Sequence, residues 1–391
     1  MRPDLEAELR GHLLRDVMPF WLRHAIDEVN GGIFTCIADD GGILSRDKYL
    51  WSQTRALWTF SALCRRIEDR REWREIADGL FDFLRRHGRD HRGSWIFRTD
   101  AEGNLIEGEK SIVTDAFAMM GLTEYFLLTG DQQALDMALE TYGSVCARLA
   151  RPGTYPTAPY PTPPGLRPHR EYMQFSLAFT ELGRAAANHA VEQHGLQLGR
   201  AVLDHFWRPE IPALLEYIGG ENEFVDTPEG RTMVPGHGIE SGYFQLLNFR
   251  ASGEEALLRR SCDAIRCCCE RGWDPIHGGL FLGLDVAGRE PVYWKNAEMK
   301  LWWPHAEALP ACLLAWEVCG EQWCVEWLQK IHEWSFGHFP VREFGEWTQR
   351  LDRAGRPVDT LVALPVKDPF HLPRALIIAI ETLERIRTKP G

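Results

Sequence analysis

The chain has 391 residues, of which 45% are hydrophobic and 26% are charged, which is typical of a soluble globular protein with a large apolar core. Its formal net charge of -12 and its lack of any basic run speak against nucleic acid or anionic membrane as a partner. No apolar stretch reaches the roughly 20 residues of a membrane span, and the charged N-terminus does not resemble a signal peptide, so we expect a cytoplasmic protein.

The elements predicted along the chain are mainly helical. Apolar residues recur at three- and four-residue spacing in "KYLWSQTRALWTFSALCRRI" (48–67) and "WREIADGLFDFLRRHG" (73–88). The same pattern predicts helix pairs in which one member begins near 48, 111, 170, 237, 296 and 367. Several of these segments are apolar almost all round, which indicates burial on every side. We therefore predict a single all-α domain, 1–391, built as an (α/α)6 barrel of twelve helices, with an open solenoid as the alternative.

A second pattern recurs between the predicted helices. Four segments share a glycine, a large apolar residue two positions later, an aspartate five further on and a glycine three beyond it: Gly32/Phe34/Asp39/Gly42, Gly93/Trp95/Asp100/Gly103, Gly278/Leu280/Asp285/Gly288 and Gly345/Trp347/Asp352/Gly355. Apolar alternation with an Asp and Gly turn predicts a short β-hairpin in each. We expect these hairpins to lie in the loops at one end of the ring.

The chain has ten cysteines, and the run Cys267 to Cys269 with Cys64, Cys146, Cys312 and Cys319 lies in helical patterns, mostly beside apolar residues. Reduced thiols packed as small hydrophobic groups explain them better than a disulfide framework. Neither a C-x-x-C pair nor an H-E-x-x-H motif is present, so we predict no metal site.

Polar residues with catalytic potential occur where the inner helices are predicted to begin. "VPGHGIESGY" places His237 three residues before Glu240, a spacing at which the carboxylate can accept from the imidazole and fix its tautomer. Arg55, Lys300, Glu307 and His371 occupy comparable places. Each has a structural alternative: His237 as part of an ordinary helix start, Arg55 in a buried ion pair with a glutamate, and His371 bonded to a backbone carbonyl.

Six segments, in this order along the chain, resemble the N-acylglucosamine 2-epimerase family: "RDKYLWSQTRALWTFSAL", "PGHGIE", "WDPIHGGLFLGLD", "KLWWPHAEAL", "GEWTQRLDRAGR" and "PFHLPRAL". The resemblance covers about residues 10–385. It implies an (α/α)6 barrel that epimerises or isomerises free sugars. It also implies a catalytic set of Arg55, His237, Glu307 and His371, with Glu240 beside them.

The substrate predictions follow from the same resemblance. We predict that Trp303, Lys300, Gln174 and Trp347 bind the sugar. Members that isomerise mannose or epimerise cellobiose usually carry a further histidine where this chain has Gln174, which favours interconversion of N-acetylglucosamine and N-acetylmannosamine. No cofactor is required. The resemblance raises ATP as an allosteric activator, although no residues of the chain identify an ATP site, and the number of associating chains is left open, with a homodimer as one candidate.

The predicted chemistry fits these residue types. Inversion at carbon 2 of an aldose needs one group to remove the C2 proton and another to return a proton on the opposite face. Two histidines suit this task because an ordinary pKa near 6.5 allows one to be neutral and the other protonated. Arg55 would stabilise the charge that grows on O1 of the enediolate intermediate.

Several alternatives remain. The same residues could serve an aldose–ketose isomerase such as mannose isomerase, or a cellobiose or mannose 2-epimerase. A glycoside hydrolase would instead need two carboxylates that flank the scissile bond, for which Asp115, Asp226, Glu240 and Glu307 are available. A non-catalytic carbohydrate-binding protein is the third class, and it would bind sugar without exchanging the C2 proton.

Overall fold

Residues 2–388 are described by the computed structural model, and they form twelve helices joined by loops with short strands. The helices are α1 (Leu5–Gly11, His12–Val17 and Met18–His24), α2 (Leu50–Ala62 and Leu63–Ile67), α3 (Arg71–His87), α4 (Val113–Thr129), α5 (Gln132–Leu149), α6 (His169–Ala185), α7 (His189–Ala201 and Val202–Phe206), α8 (Pro235–Phe249), α9 (Glu255–Gly272), α10 (Trp302–Cys319), α11 (Gln322–His338) and α12 (His371–Thr388).

The even-numbered helices form the inner wall of a closed ring. Each of α2, α4, α6, α8, α10 and α12 is buried on nearly all sides, whereas the helices between them bury one face. Each inner helix packs against the next. The ring closes between α12 and α2, where Trp58 contacts Phe370 edge-on at 5.6 Å and Arg66 lies 3.7 Å from Glu381. The predicted (α/α)6 barrel is confirmed, and the open solenoid is wrong.

Sequence periodicity located the inner helices well because their burial makes them apolar all round. Five of them begin within four residues of the predicted starts, as α6 does at residue 169. The exception is α10, which begins at Trp302 because Lys300 and Leu301 form a strand instead. None of the helices in residues 2–388 combines the length and the apolarity that a bilayer crossing requires.

The strands are short and lie in the loops. They are β1 (Cys36–Ile37), β2 (Ile43–Ser45), β3 (Lys48–Tyr49), β4 (Arg98–Thr99), β5 (Leu105–Glu107), β6 (Leu166–Pro168), β7 (Trp207–Arg208), β8 (Ala213–Leu214), β9 (Tyr217–Gly219), β10 (Thr232–Met233), β11 (Leu284–Asp285), β12 (Lys300–Leu301) and β13 (Arg350–Leu351). Four of them adjoin an inner helix: β3, β6 and β12 run directly into one, and a single residue separates β10 from α8. The sheets therefore gather at the end of the ring where the inner helices begin.

The four predicted hairpins have different outcomes. β1 with β2 and β4 with β5 are antiparallel hairpins, as predicted. The fourth segment folds back on itself only at a single antiparallel bridge between Leu351 and Pro357. Its strand β13 pairs mainly with β12. The third prediction is wrong, because β11 pairs with β10 instead of folding back, and Arg231 fixes that pairing with a 2.8 Å bond from Nε to Asp285 Oδ2.

Neighbouring inner helices approach closely where a glycine faces the next backbone. A Cβ added at Gly121 of α4 would lie 2.4 Å from the carbonyl oxygen of Thr54 on α2. Backbone cannot yield as a flexible side chain can, so this contact requires the absence of a side chain. Gly143 on the outer helix α5 is an exposed counterpart that has no atom within 4 Å of the added carbon among the described residues.

We expect Gly121→Ala to lower the melting temperature, since overpacking of a core contact costs about 1–3 kcal/mol. Gly143→Ala is the matched control, and it should raise stability by about 0.5–1 kcal/mol because alanine is the better helix former. Thermal melts of both variants measure this difference. Equal melting temperatures for the two would contradict close packing of α2 against α4.

Candidate active site

One pocket opens at the end of the barrel where the inner helices begin. Its wall includes Arg55 of α2, Gln174 of α6, His237 and Glu240 of α8, and His371 of α12. These residues are separated by as many as 316 positions in the chain, and the closed ring brings them together. The N-termini of inner helices also direct the positive ends of their dipoles toward this end, which favours negative charge there.

His237 is held by a carboxylate that no motif identified. Its Nδ1 lies 2.9 Å from Oε2 of Glu216, which precedes β9 and is 1% exposed. Because an ionised carboxylate only accepts hydrogen bonds, the imidazole donates from Nδ1 and keeps Nε2 for another partner. His237 therefore is not an ordinary helix-start residue, and the N-cap of α8 is Val234, which makes no side-chain cap bond.

The predicted pairing of His237 with Glu240 is wrong. Glu240 instead accepts a hydrogen bond from Nη2 of Arg374 on α12. Arg374 is 1% exposed, and a buried guanidinium needs a carboxylate partner more strongly than an imidazole does. His237 and Glu240 do lie three residues apart on one helix, but the carboxylate of Glu240 pairs with Arg374, which comes from another helix.

His371 is held in the same manner by Glu307 of α10. Its Nδ1 lies 2.7 Å from Glu307 Oε1, so the alternative of a bond to a backbone carbonyl is wrong. Glu307 also accepts from Arg374 Nη2 at 2.5 Å and from the hydroxyl of Tyr243 at 2.7 Å. Glu307, which the resemblance implied as a member of the catalytic set, thus holds the ring of His371.

Glu240, Glu307 and His371 place one ligand atom each within 4.8 Å of one another, a spacing that could hold a metal ion. Arg374 donates to both of these carboxylates and so supplies positive charge at the same place. The guanidinium of Arg374 therefore already supplies, at these side chains, the positive charge that a metal ion would bring.

The two histidines differ in electrostatic environment. Burial alone would lower the pKa of His237, but the charge of Glu216 and the hydrogen bond to it raise that pKa above its ordinary value. Burial lowers the pKa of His371 well below its ordinary value, and the Arg55 cation acts in the same direction. The site thus favours a protonated His237 beside a neutral His371.

Arg55 is buried in the pocket wall and forms an ion pair. Its Nη1 lies 3.2 Å from Oδ2 of Asp368, so the expected buried partner is an aspartate and not a glutamate. Its guanidinium carbon lies 3.9 Å from the ring centre of Phe117 and 4.8 Å from that of Trp51. These contacts leave the Nε of Arg55 without a hydrogen-bond partner among the described residues.

Two of the predicted sugar-binding residues line the pocket. Trp303 contacts both histidines, with its ring centre 5.2 Å from that of His237 and 5.6 Å from that of His371. Gln174 is 5% exposed, and its Oε1 has no hydrogen-bond partner within residues 2–388. Both side chains can therefore contact a ligand that reaches the histidines.

The other two predicted sugar-binding residues, Lys300 and Trp347, lie outside the pocket. Lys300 is fully buried in β12, 3.3 Å from Asp274 Oδ2, because an uncompensated ammonium cannot be buried. Trp347 is also fully buried and donates from Nε1 to His12 Nε2 at 2.8 Å. Its ring stacks on Phe339 at 5.4 Å, which makes it a core residue.

Sequence reasoning missed three residues that fix the site: Glu216, Asp368 and Arg374. Arg374 follows His371 by three positions on α12, and Asp368 precedes it by three, so "DPFHLPR" carried a local signal for both. Glu216 lies in a loop 21 residues before His237, and no spacing rule points to it.

The carboxylates considered for glycoside hydrolysis are not arranged for it. Asp115 is buried in an ion pair with Arg148, and Asp226 is exposed and lies 2.5 Å from Arg231. Neither lines the pocket formed by the described residues. Glu240 and Glu307 remain, and Arg374 joins them to each other.

Comparisons with known proteins agree with this architecture. Residues 32–375 match the family model for N-acylglucosamine 2-epimerase (GlcNAc 2-epimerase). The N-acylglucosamine 2-epimerase of Mus musculus is 30% identical over 391 residues, which cover 94% of this chain and 89% of that protein. A sugar epimerase from a ruminal bacterium has a similar structure, with a TM-score of 0.83 and 20% identity over 99% of this chain and 100% of that chain. A D-mannose isomerase also has a TM-score of 0.83, with 20% identity over 97% of this chain and 99% of that chain.

We expect Trp347→Phe to lower the melting temperature by a few degrees. The variant loses the bond to His12 and leaves a void in the core, which together cost about 1–3 kcal/mol. Trp303→Phe is the control, because Trp303 is partly exposed in the pocket, and its melting temperature should change less. Thermal melts of the two variants decide between a core and a pocket role for Trp347. A larger loss of stability in Trp303→Phe would argue against the core role.

Proposed function

The chain belongs to the N-acylglucosamine 2-epimerase family, and we propose that it interconverts N-acetylglucosamine and N-acetylmannosamine by proton transfer at carbon 2. Membership of this family makes it an isomerase-class enzyme. The observation that carries the proposal is the pair of histidines, His237 and His371, which line one pocket and have Nδ1 engaged by separate carboxylates. The names of the mammalian relatives support the choice of N-acetylated sugars.

The proposed reaction begins with the open-chain sugar, whose C1 carbonyl acidifies the C2 proton. A neutral imidazole removes that proton through Nε2, and the electron pair moves into an enolate whose negative charge lies on O1. The second imidazole, protonated, then donates from its Nε2 to the opposite face of C2. The carboxylates at Nδ1 orient both rings and stabilise whichever one is an imidazolium.

Arg55 is the candidate for stabilising the enolate. A guanidinium is always protonated, and its planar set of N–H donors is suited to an oxygen on which negative charge grows. Asp368 holds Nη1, while Nε is buried without a partner among the described residues. Trp303, which contacts both histidines, gives the sugar an aromatic surface between the groups that act on it.

We propose that residues 1–391 act as one catalytic domain in the cytoplasm, on a free sugar, with no nucleic-acid or membrane partner and without a required cofactor. A homodimer and activation by ATP remain separate proposals, for which analytical ultracentrifugation and an activity titration with ATP are the direct measurements.

A proton NMR time course against a panel of free sugars tests the function. We expect N-acetylglucosamine and N-acetylmannosamine to interconvert, with slower or no reaction of mannose, glucose and cellobiose. A ketose product from mannose would instead identify an aldose–ketose isomerase, and release of a sugar from a glycoside would identify a hydrolase. Binding of a sugar without conversion of any sugar in the panel would identify a carbohydrate-binding protein.

We expect Arg55→Lys to lower kcat at least tenfold, or ~1.4 kcal/mol of transition-state stabilisation, because lysine keeps the charge but loses the planar set of donors. Steady-state kinetics with N-acetylmannosamine measure the effect. An unchanged kcat with a raised KM would mean that Arg55 only holds the substrate.

Each histidine should exchange the C2 proton of a different epimer. His237→Asn and His371→Asn should both fail to interconvert the sugars, because either direction needs one base and one acid. Each variant retains one base, and in D2O it should place deuterium at C2 of only one epimer. NMR detects this exchange. Near wild-type interconversion by both variants, or wild-type turnover in D2O without deuterium at C2, would refute the proton-transfer mechanism.

A further inference from the structure

The two carboxylates that bind the Nδ1 atoms of the histidines differ in how many other donors they accept from. Glu307 accepts hydrogen bonds from the cation Arg374 and from Tyr243 as well as from His371, so little of its charge remains for the histidine. Glu216 accepts a hydrogen bond only from His237 among the described residues, and its Oε1 has no partner there. The charge of Glu216 is therefore available to the imidazole beside it.

A third histidine lies behind Glu216, outside the pocket wall. His169, the first residue of α6, is fully buried, and its Nδ1 lies 3.9 Å from the same Oε2 that accepts from His237. Its Nε2 lies 2.9 Å from the hydroxyl of Ser241, which follows His237 by one turn on α8. If the serine donates, the ring carries its proton on Nδ1 and directs it toward Glu216.

The titratable and charged groups around His237 come from three elements. Glu216 lies in the loop before β9, Glu240 lies on the same helix, and Arg170 and His169 lie on α6. Arg170 opposes a positive charge on His237, and the charge of Glu240 is already paired with an arginine. Glu216 is thus the group that decides whether His237 carries a proton, and burial of His169 disfavours a competing cation there.

We propose that Glu216, supported by His169, is a positioning residue that holds His237 as an imidazolium in the resting enzyme, while His371 rests neutral. The inference depends on the proposed function for its catalytic meaning. It makes His371 the resting base and His237 the resting acid. The epimer whose C2 proton faces His371 then meets an enzyme that is ready to react.

The proton balance shows what the other epimer requires. In a turnover from the resting form, His371 gains the C2 proton and His237 gives its own proton to the opposite face. The enzyme is left with the proton on the less favoured histidine, and it returns to rest when His371 releases a proton to water and His237 takes one up. The second epimer reacts only with this less populated arrangement.

Glu216→Gln tests the assignment through the pH dependence of kcat/KM. His237 must be protonated in the productive form, and Glu216 raises its pKa, so activity is lost as the pH rises through that pKa. Removal of the carboxylate charge should move this alkaline limb to lower pH by at least one unit, as expected for an opposite charge at hydrogen-bond distance. KM at the acid end of the plateau should change by less than about twofold.

Matched variants separate positioning from a structural role. Glu216→Asp keeps the charge and should restore the limb toward the wild-type position. Glu171→Gln is the control. Glu171 is a buried carboxylate on α6 that accepts a hydrogen bond from the hydroxyl of Tyr155, and it contacts neither histidine of the pocket. It should leave the alkaline limb unchanged. A wild-type limb in Glu216→Gln, or an equal loss of activity at every pH that Glu216→Asp does not relieve, would overturn the proposal.

A direct titration keeps the inference testable if the Glu216 variants do not fold. In wild-type protein labelled with 15N-histidine, the imidazole signal that disappears in His237→Asn should titrate above pH 6.5, and the one that disappears in His371→Asn should stay neutral well below it. The reverse order would overturn the proposal. This measurement needs no turnover, so a protein that epimerises no sugar would contradict the proposed function and still leave the protonation states measurable.

Discussion

Arg374 is the buried cation on which the arrangement of the pocket depends. Its Nη2 donates to Glu240 of α8 and to Glu307 of α10, so one guanidinium on α12 ties three of the inner helices together. Two carboxylates could not remain charged at this depth without it, because desolvation of an ion costs several kcal/mol. Fixing Glu307 in this way also fixes His371, which takes its orientation from the same carboxylate. The geometry of the pocket and the packing of the ring therefore have a common cause.

Burial explains why so much of the fold followed from the sequence. The inner helices are surrounded by other helices, so they are apolar all round, and their starts recur at a nearly constant interval. Lys300 shows where this reasoning stops, since local periodicity placed it in a helix, but pairing of β12 with β13 makes it a strand residue. Trp347 shows the same limit for side chains. It was predicted to bind the sugar, and only the packed structure places it in the core.

The same limit applies to prediction of the candidate site. His237, His371 and Arg55 were found because they lie where inner helices begin, and the family resemblance agreed with that placement. Of their partners, only Glu307 was among the predicted residues, and Arg374 was missed although it follows His371 at i, i+3 spacing. Glu240 was assigned to His237 on that same spacing, and a charge from another helix overrode it. The choice of partner for a buried ion is decided by long-range electrostatics, which no local pattern records.

The opposite resting protonation that we propose for the two histidines does not make the enzyme favour one sugar. Both directions of reaction use the same total number of protons on the pair, which titrates as a unit. The values of kcat/KM in the two directions must therefore share one pH profile, because their ratio is the equilibrium constant of the sugars, which the protein cannot alter. A proton bound more firmly to His237 lowers the population of the form that the second epimer needs, and it makes that form correspondingly more reactive. In the proposed mechanism the unequal carboxylates thus set the pH at which the pair is productive, while the sugars alone determine the position of equilibrium.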